Sequence, residues 1–277
     1  MDLDGTLLNS ESKVPEENAR AITEAAARGI EIVIVTGRRY HSARLIVEAL
    51  PCELHLIVNN GALIKSKAGA THQRFLLPAS TARRVLEATP EFRSSASVVF
   101  DRPRENQVIL ETIDWDDPFR GGYFRRSREF VAQVAPLTDC LNGKHGPAED
   151  PIQVMFVGLC QTIRDVRERL QNDDFADEYT LAFTEYLTKD ISVLDVLRHG
   201  VSKGAALAQW ARRLGIRREE VMAIGDNWND HDMLEFAGLP VVMGNSVDIL
   251  KSRGWTVTLT NDQNGLAEAI RKYALTE

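Results

Sequence analysis

Three short apolar runs rich in β-branched residues, 30–35, 54–58 and 221–224, each stop at a polar cluster: Thr36-Gly37-Arg38, Asn59-Asn60-Gly61 and Gly225-Asp226. Predominantly apolar runs of this length suit buried strands. One helical stretch precedes the first run and another separates it from the second. Residues 15–29 open with Pro15, Glu16 and Glu17 and close at Gly29, and residues 40–50 stop at Pro51. A proline first, acids in the first turn and a glycine at the end favour a helix. Alternating strands and helices of this kind predict an α/β fold around a parallel sheet. Ligands of such sheets bind outside the carboxyl ends of the strands.

The texture changes at Pro78. Residues 79–89, 127–135 and 162–171 read as helices, and 96–101, 106–113, 152–158 and 179–184 as strands. They lack the short strand-to-helix punctuation of the first part. An inserted α+β domain is expected, with hinges at Pro78 and at Thr188-Lys189-Asp190. The α/β rhythm resumes with strand 191–196, helix 203–214, strand 221–224, helix 230–237, strand 240–243 and a closing helix 266–273. The expected division is a core of 1–77 and 190–277 around an insertion of 78–189.

Composition removes several classes. A chain of 277 residues that is 44% hydrophobic and 26% charged can build a core and is not disordered. A net charge of −7 argues against non-specific nucleic-acid binding. Cys52, Cys140 and Cys160 are isolated, which suits neither a disulfide framework nor a zinc site. No apolar run reaches the ~18 residues of a membrane span, and no signal-peptide pattern opens the chain. The expectation is a cytoplasmic protein with no membrane or nucleic-acid partner.

Chemistry concentrates at strand ends and helix starts. Asp2-Leu3-Asp4-Gly5-Thr6-Leu7-Leu8 places two carboxylates two residues apart. At a strand end they point the same way and suit a hard divalent cation such as Mg2+. An Asp carboxylate can also attack phosphorus. The plain alternative is a solvated acidic turn. A strand ending at Asp2 should open with several apolar residues, yet only Met1 precedes it. That is expected of a chain begun at an internal methionine or shortened at its front. Thr36-Gly37-Arg38 offers a hydroxyl and backbone N–H groups for phosphate oxygens, or is an ordinary strand-to-helix turn. Lys203 opens a helix, where its charge opposes the dipole unless it faces an anion; otherwise it is a surface lysine. Asp226 follows a strand directly and Asp230 begins the next helix, as metal ligands or merely as caps.

Taken together, D-L-D-G-T-L-L, V-T-G-R, G-V-S-K-G and G-D-N-W-N-D-x-x-M-L resemble the haloacid dehalogenase superfamily, in order and spacing. Asn60-Gly61-Ala62 and Val242-Met243-Gly244-Asn245-Ser246 are similar to its Cof-type branch of phosphatases. The resemblance implies a Rossmann-like core with a parallel sheet and an α+β cap of the C2 (IIB) type, lying over the site and setting specificity. It implies that Asp2 is nucleophile and Mg2+ ligand. Asp4 would be general acid and base, and a metal ligand through its carbonyl. Asp226 would be the third protein ligand. Thr36 and Lys203 would hold the transferring phosphoryl group, with Gly37, Arg38, Asn60 and Asn229 in the phosphate-binding set. Asp230 would support Lys203 or the metal's waters.

The activity so implied is Mg2+-dependent hydrolysis of a small phosphorylated metabolite through an aspartyl phosphate, by a monomer or small homo-oligomer. A sugar phosphomutase and a catalytically silent binding protein are the alternatives. For specificity, some of the cationic cluster Arg120, Arg125, Arg126 and Arg128, with Lys144 and His145, are candidates to read a second anionic or hydroxyl-rich part of the substrate. A solvated cationic face is the other reading.

Overall fold

The structure is a computed structural model that describes residues 1–125, 127–143 and 149–275. The chain divides into two compact units, Met1–Arg74 with Val201–Glu277, and Phe75–Gly200.

In the first unit, strands Val33–Val35 and His55–Val58 pair in parallel, with Ile34 opposite Leu56. The chain then turns back through Leu63–Ser66 and Thr71–Arg74, both antiparallel to their neighbours. A second sheet runs in parallel through Met222–Gly225, Leu239–Val242 and Thr256–Val257. Met1 and Asp2 lie between the two sheets. The Val35 N–H donates to the Met1 carbonyl at 2.9 Å, and the Asp2 N–H to the Ile224 carbonyl at 3.0 Å. Asp2 therefore sits beside the carboxyl ends of Val33–Val35 and Met222–Gly225. Val35, Ile57, Ile64, Ala223 and Val242 of these sheets pack against Leu207, Trp210, Met233 and Leu234 of two helices, Lys203–Leu214 and His231–Phe236. Each fully buried side chain of this kind contributes about 1.5–3 kcal/mol.

The second unit is a six-stranded sheet in the order Val131–Gln133, Val108–Leu110, Ala96–Val99, Gln153–Gly158, Ile191–Arg198, Tyr179–Tyr186. All pairs are antiparallel except the first. Helices Ala79–Ala88 and Cys160–Gln171 bury Val85, Leu86, Ile163 and Val166 against Val98, Val154, Phe156 and Leu194 of the sheet. The first unit is α/β and the second α+β, as expected.

Three expectations are corrected. Strand 191–196 was assigned to the core, but Ile191–Arg198 is an inner strand of the second unit's sheet. It is buried on both faces, so its continuous apolar run carries no alternation to set it apart from a parallel core strand. The units accordingly divide at 74/75 and 200/201, not at 77/78 and 189/190. Residues 127–135 are not one continuous helix; only the single 3-10 turn Arg128–Phe130 is helical. Phe130 and Val134 are buried at a spacing that mimics one, but Val131–Gln133 is a short strand, and the helix is Arg120–Arg125.

Candidate functional site

Asp2 is followed by a wide five-residue turn, Leu3–Leu7, closed by the Leu8 N–H on the Leu3 carbonyl at 2.9 Å. Gly5 makes the turn possible, with φ at +80°. A Cβ on Gly5 would lie 2.3 Å from Asp226 Oδ2. Two constraints therefore exclude a side chain here, the backbone conformation and the neighbouring carboxylate. Gly5→Ala is expected to cost about 1–3 kcal/mol of stability and to displace Asp226. A melting curve beside an activity assay checks this; a variant unchanged in both would show that the turn accommodates a methyl group.

The turn also delivers Thr6. Its hydroxyl, fully buried, donates to Asp226 Oδ1 at 2.8 Å. Asn245 Nδ2 donates to the Gly5 carbonyl at 2.9 Å, and Ser246 Oγ to the Asp226 carbonyl at 2.6 Å. Thr6, Asn245 and Ser246 have no role in the sequence reading, although each lies in a motif quoted there. The available signal was a hydroxyl or amide placed within a few residues of a strand end.

Lys203 opens helix Lys203–Leu214. The Ser202 hydroxyl accepts from the Ala205 N–H at 3.1 Å, a standard N-cap. Asp232 Oδ2 accepts from the Gly204 N–H at 2.8 Å and ties this end to helix His231–Phe236. The Lys203 side chain, only 2% exposed, donates to Asp2 Oδ1 at 2.8 Å and to Asp230 Oδ1 at 2.6 Å. Burial disfavours its charge, but the two carboxylates outweigh burial and hold the ammonium well above its usual range. Asp230 Oδ2 accepts from the N–H groups of Asp226 and Asn227 at 3.0 and 3.1 Å. Both oxygens of Asp230 are thus engaged, as part of a capping box over the turn Trp228–Asp230.

Carboxylate oxygens of Asp2, Asp226 and Asp230 all lie within 4.8 Å of one another. Three carboxylates face one ammonium, so fully ionised they carry two uncompensated negative charges. Burial, with Asp230 and Asp4 nearby, raises Asp2 to about 7 against the opposing pull of Lys203. Burial and the charges of Asp2 and Asp230 likewise raise Asp226. Asp2 Oδ2 and Asp226 Oδ2 accept no hydrogen bond from any described residue. An all-oxygen donor set with surplus negative charge fits a hard divalent cation.

Asp4 is different. Its carboxylate lies outside the three-acid group and is gripped by Arg38, with Nε on Oδ2 at 2.7 Å and Nη2 on Oδ1 at 2.5 Å. Thr36 is 1% exposed, and its hydroxyl accepts from the Arg38 N–H at 3.1 Å. The Asn60 N–H donates to the Thr36 carbonyl at 3.1 Å, and the Asn60 side chain lies over Gly37, where a Cβ would meet it at 3.1 Å. Asn229 is partly buried in the Trp228–Asp230 turn. In the second unit, Arg120 donates to the Thr112 and Ala96 carbonyls, and burial holds its guanidinium down to about 10. Arg125 donates to the Trp115 carbonyl, and Arg128 lies 4.7 Å from the Trp115 ring centroid. Each of these three cations has a local partner. Arg126, Lys144 and His145 lie outside the described residues.

Residues 1–270 match the family model for haloacid dehalogenase-like hydrolases. The chain belongs to that family. The phosphatase YwpJ of Bacillus subtilis is 30% identical over 98% of this chain and 97% of its own length. The 5-amino-6-(5-phospho-D-ribitylamino)uracil phosphatase YcsE of the same organism is 31% identical, covering 99% and 94%. A solved haloacid dehalogenase-like hydrolase from B. subtilis has a TM-score of 0.81 at 26% identity, covering 99% of this chain and 98% of that one. A solved subclass IIB sugar phosphatase shares the fold with a TM-score of 0.75 at 19% identity, covering 99% and 97%. The Cof-type resemblance thus holds over the whole chain, and the protein is a phosphatase of this hydrolase family. Among the described residues, no helix is long and apolar enough to cross a membrane.

Proposed function

We propose that this site hydrolyses small phosphomonoesters with Mg2+, through an aspartyl phosphate on Asp2. The observation that carries the reading is the buried Lys203, bridged to Asp2 and Asp230, beside carboxylate oxygens of Asp2 and Asp226 that no described donor satisfies. Relatives support the substrate class. One at 28% identity is named a pyridoxal phosphate phosphatase, of Escherichia coli, and another at 30% an HMP-PP phosphatase, of Serratia proteamaculans.

Asp2 and Asp226 would hold the cation through side-chain oxygens and Asp4 through its carbonyl, since the Asp4 carboxylate is committed to Arg38. Bound there, Mg2+ supplies positive charge that lets a carboxylate and a phosphate approach. The rest falls to the chain. An Asp2 oxygen bonds to phosphorus as the ester P–O bond breaks, and the leaving oxygen takes the proton of the Asp4 carboxyl. Water then attacks the same phosphorus, giving its proton to the Asp4 carboxylate, and Asp2 departs. Lys203 and Thr36 steady the phosphoryl oxygens throughout. Phosphate release from a panel of sugar phosphates, pyridoxal phosphate and nucleotides, with Mg2+ and with EDTA, tests the reading. Release in Mg2+ alone is expected; equal release in EDTA, or isomerisation without release, overturns it.

A second expected result comes from the acid cluster. Asp2 in the folded protein titrates near 7, above its ordinary value of 3.8. The stability this group contributes is therefore present below its unfolded pKa and lost as pH rises through about 7. A divalent cation takes the place of the proton. Mg2+ should raise the melting temperature more at about pH 8 than at about pH 5.5. An equal shift at both would place the cation away from Asp2.

A further inference from the structure

Arg38 lies 34 residues along the chain from Asp4, yet its guanidinium meets both oxygens of that carboxylate, Nε at 2.7 Å and Nη2 at 2.5 Å. The third nitrogen, Nη1, donates to Ser42 Oγ at 3.3 Å. The Arg38 main chain is fixed as well, with its N–H on Thr36 Oγ1 and its carbonyl accepting from the Asn59 N–H at 3.0 Å. All three guanidinium nitrogens are therefore engaged on the core, two of them by Asp4. A planar fork of this kind sets the direction of a carboxylate as well as its charge.

Asp4 needs such a hold. Its backbone is extended, with φ −79° and ψ 118°, and it precedes a glycine at positive φ. Its side chain is 35% exposed, so packing constrains its rotamer less than it would that of a buried acid. A group that gives a proton to a leaving oxygen and later takes one from water must point the same way in both steps.

We propose that Arg38 is a positioning residue that acts through Asp4 and not on the phosphoryl group. The inference rests on the phosphatase reading above, and it replaces the phosphate-binding role expected of Arg38. The two roles separate by leaving group. Aryl phosphates expel a stabilised phenolate that needs little protonation, whereas alkyl phosphates expel an alkoxide that needs a proton donor. Because kcat/KM runs only to the first irreversible step, it reports loss of that proton directly.

The experiment uses the full chain with Mg2+ and measures kcat/KM for p-nitrophenyl phosphate and for glycerol phosphate. The variants are Arg38→Gln, Arg38→Lys, Asp4→Asn and the double variant Arg38→Gln/Asp4→Asn. With Arg38→Gln, the glycerol phosphate value should fall about a hundredfold more than the aryl value, and Asp4→Asn should show the same pattern. The double variant should be no worse than Asp4→Asn alone. Inhibition by inorganic phosphate should stay within about twofold of native. Arg38→Lys keeps the charge without the fork and should recover only a small part of the loss.

Equal loss on both esters with weakened phosphate inhibition would return Arg38 to the phosphoryl group and overturn the proposal. So would an unchanged Arg38→Gln, or additive losses in the double variant. A native chain that turns over neither of these esters nor any member of the panel above overturns the reading of this site, and the role of Arg38 with it.

Discussion

Asp2→Asn is expected to lower phosphate release at least about a thousandfold while leaving the fold intact. The amide keeps the shape of the side chain and still offers Lys203 an oxygen acceptor, but it cannot attack phosphorus. The same change removes one of the three acids that share a single ammonium. Without a cation the native cluster is strained by like charge, and burial is the largest cause of the raised pKa of Asp2. The variant should therefore melt no lower than the native chain in EDTA and gain less from Mg2+. That pairing separates loss of the nucleophile from loss of the protein. A folded Asp2→Asn that keeps more than about a tenth of the native rate would place the nucleophile elsewhere.

The strand ends were legible because a parallel sheet writes them twice, in a β-branched apolar run and in the polar residues that stop it. Val33–Val35, His55–Val58 and Met222–Gly225 were readable in this way, and with them the neighbourhood of Thr36, Asn60 and Asp226. Lys203 was legible for an electrostatic reason. A lysine at a helix N-terminus is unfavourable without an anion to face, and the structure places it between Asp2 and Asp230.

What stayed hidden depends on pairing across distance. No spacing joins Arg38 to Asp4, or Thr6 to Asp226 220 residues away. The hairpin Leu63–Ser66 and Thr71–Arg74 was passed over because its second strand is polar and half-exposed, Thr-His-Gln-Arg. Strand Ile191–Arg198 failed in the opposite sense. It is so thoroughly buried that nothing local says which sheet it joins, and only its partners Gln153–Gly158 and Tyr179–Tyr186 decide.

Lys203→Met tests what holds the cluster together. The methionine nearly fills the same volume, so the change removes charge and not packing. It leaves Asp2 and Asp230 buried with no cation between them, and removing one partner from a buried ionic network costs about 3–5 kcal/mol. The loss must depend on pH. At low pH Asp2 and Asp226 take up protons and the cluster escapes much of the penalty, and as pH rises through their raised values the repulsion is felt in full. Urea unfolding should therefore show a small deficit at about pH 5 and the full deficit at about pH 8 in EDTA. Three of the four tryptophans, Trp210, Trp228 and Trp255, lie in the unit that carries the site, so tryptophan fluorescence reports mainly on that unit, with Trp115 in the other. Mg2+ should restore part of the stability at about pH 8, because its charge replaces that of the ammonium, but not the activity, because nothing replaces the donor to the phosphoryl oxygens. A Lys203→Met chain as stable as native at about pH 8 in EDTA would mean that water or protons already neutralise the cluster. The case for a cation at Asp2 and Asp226 would then lose its electrostatic basis.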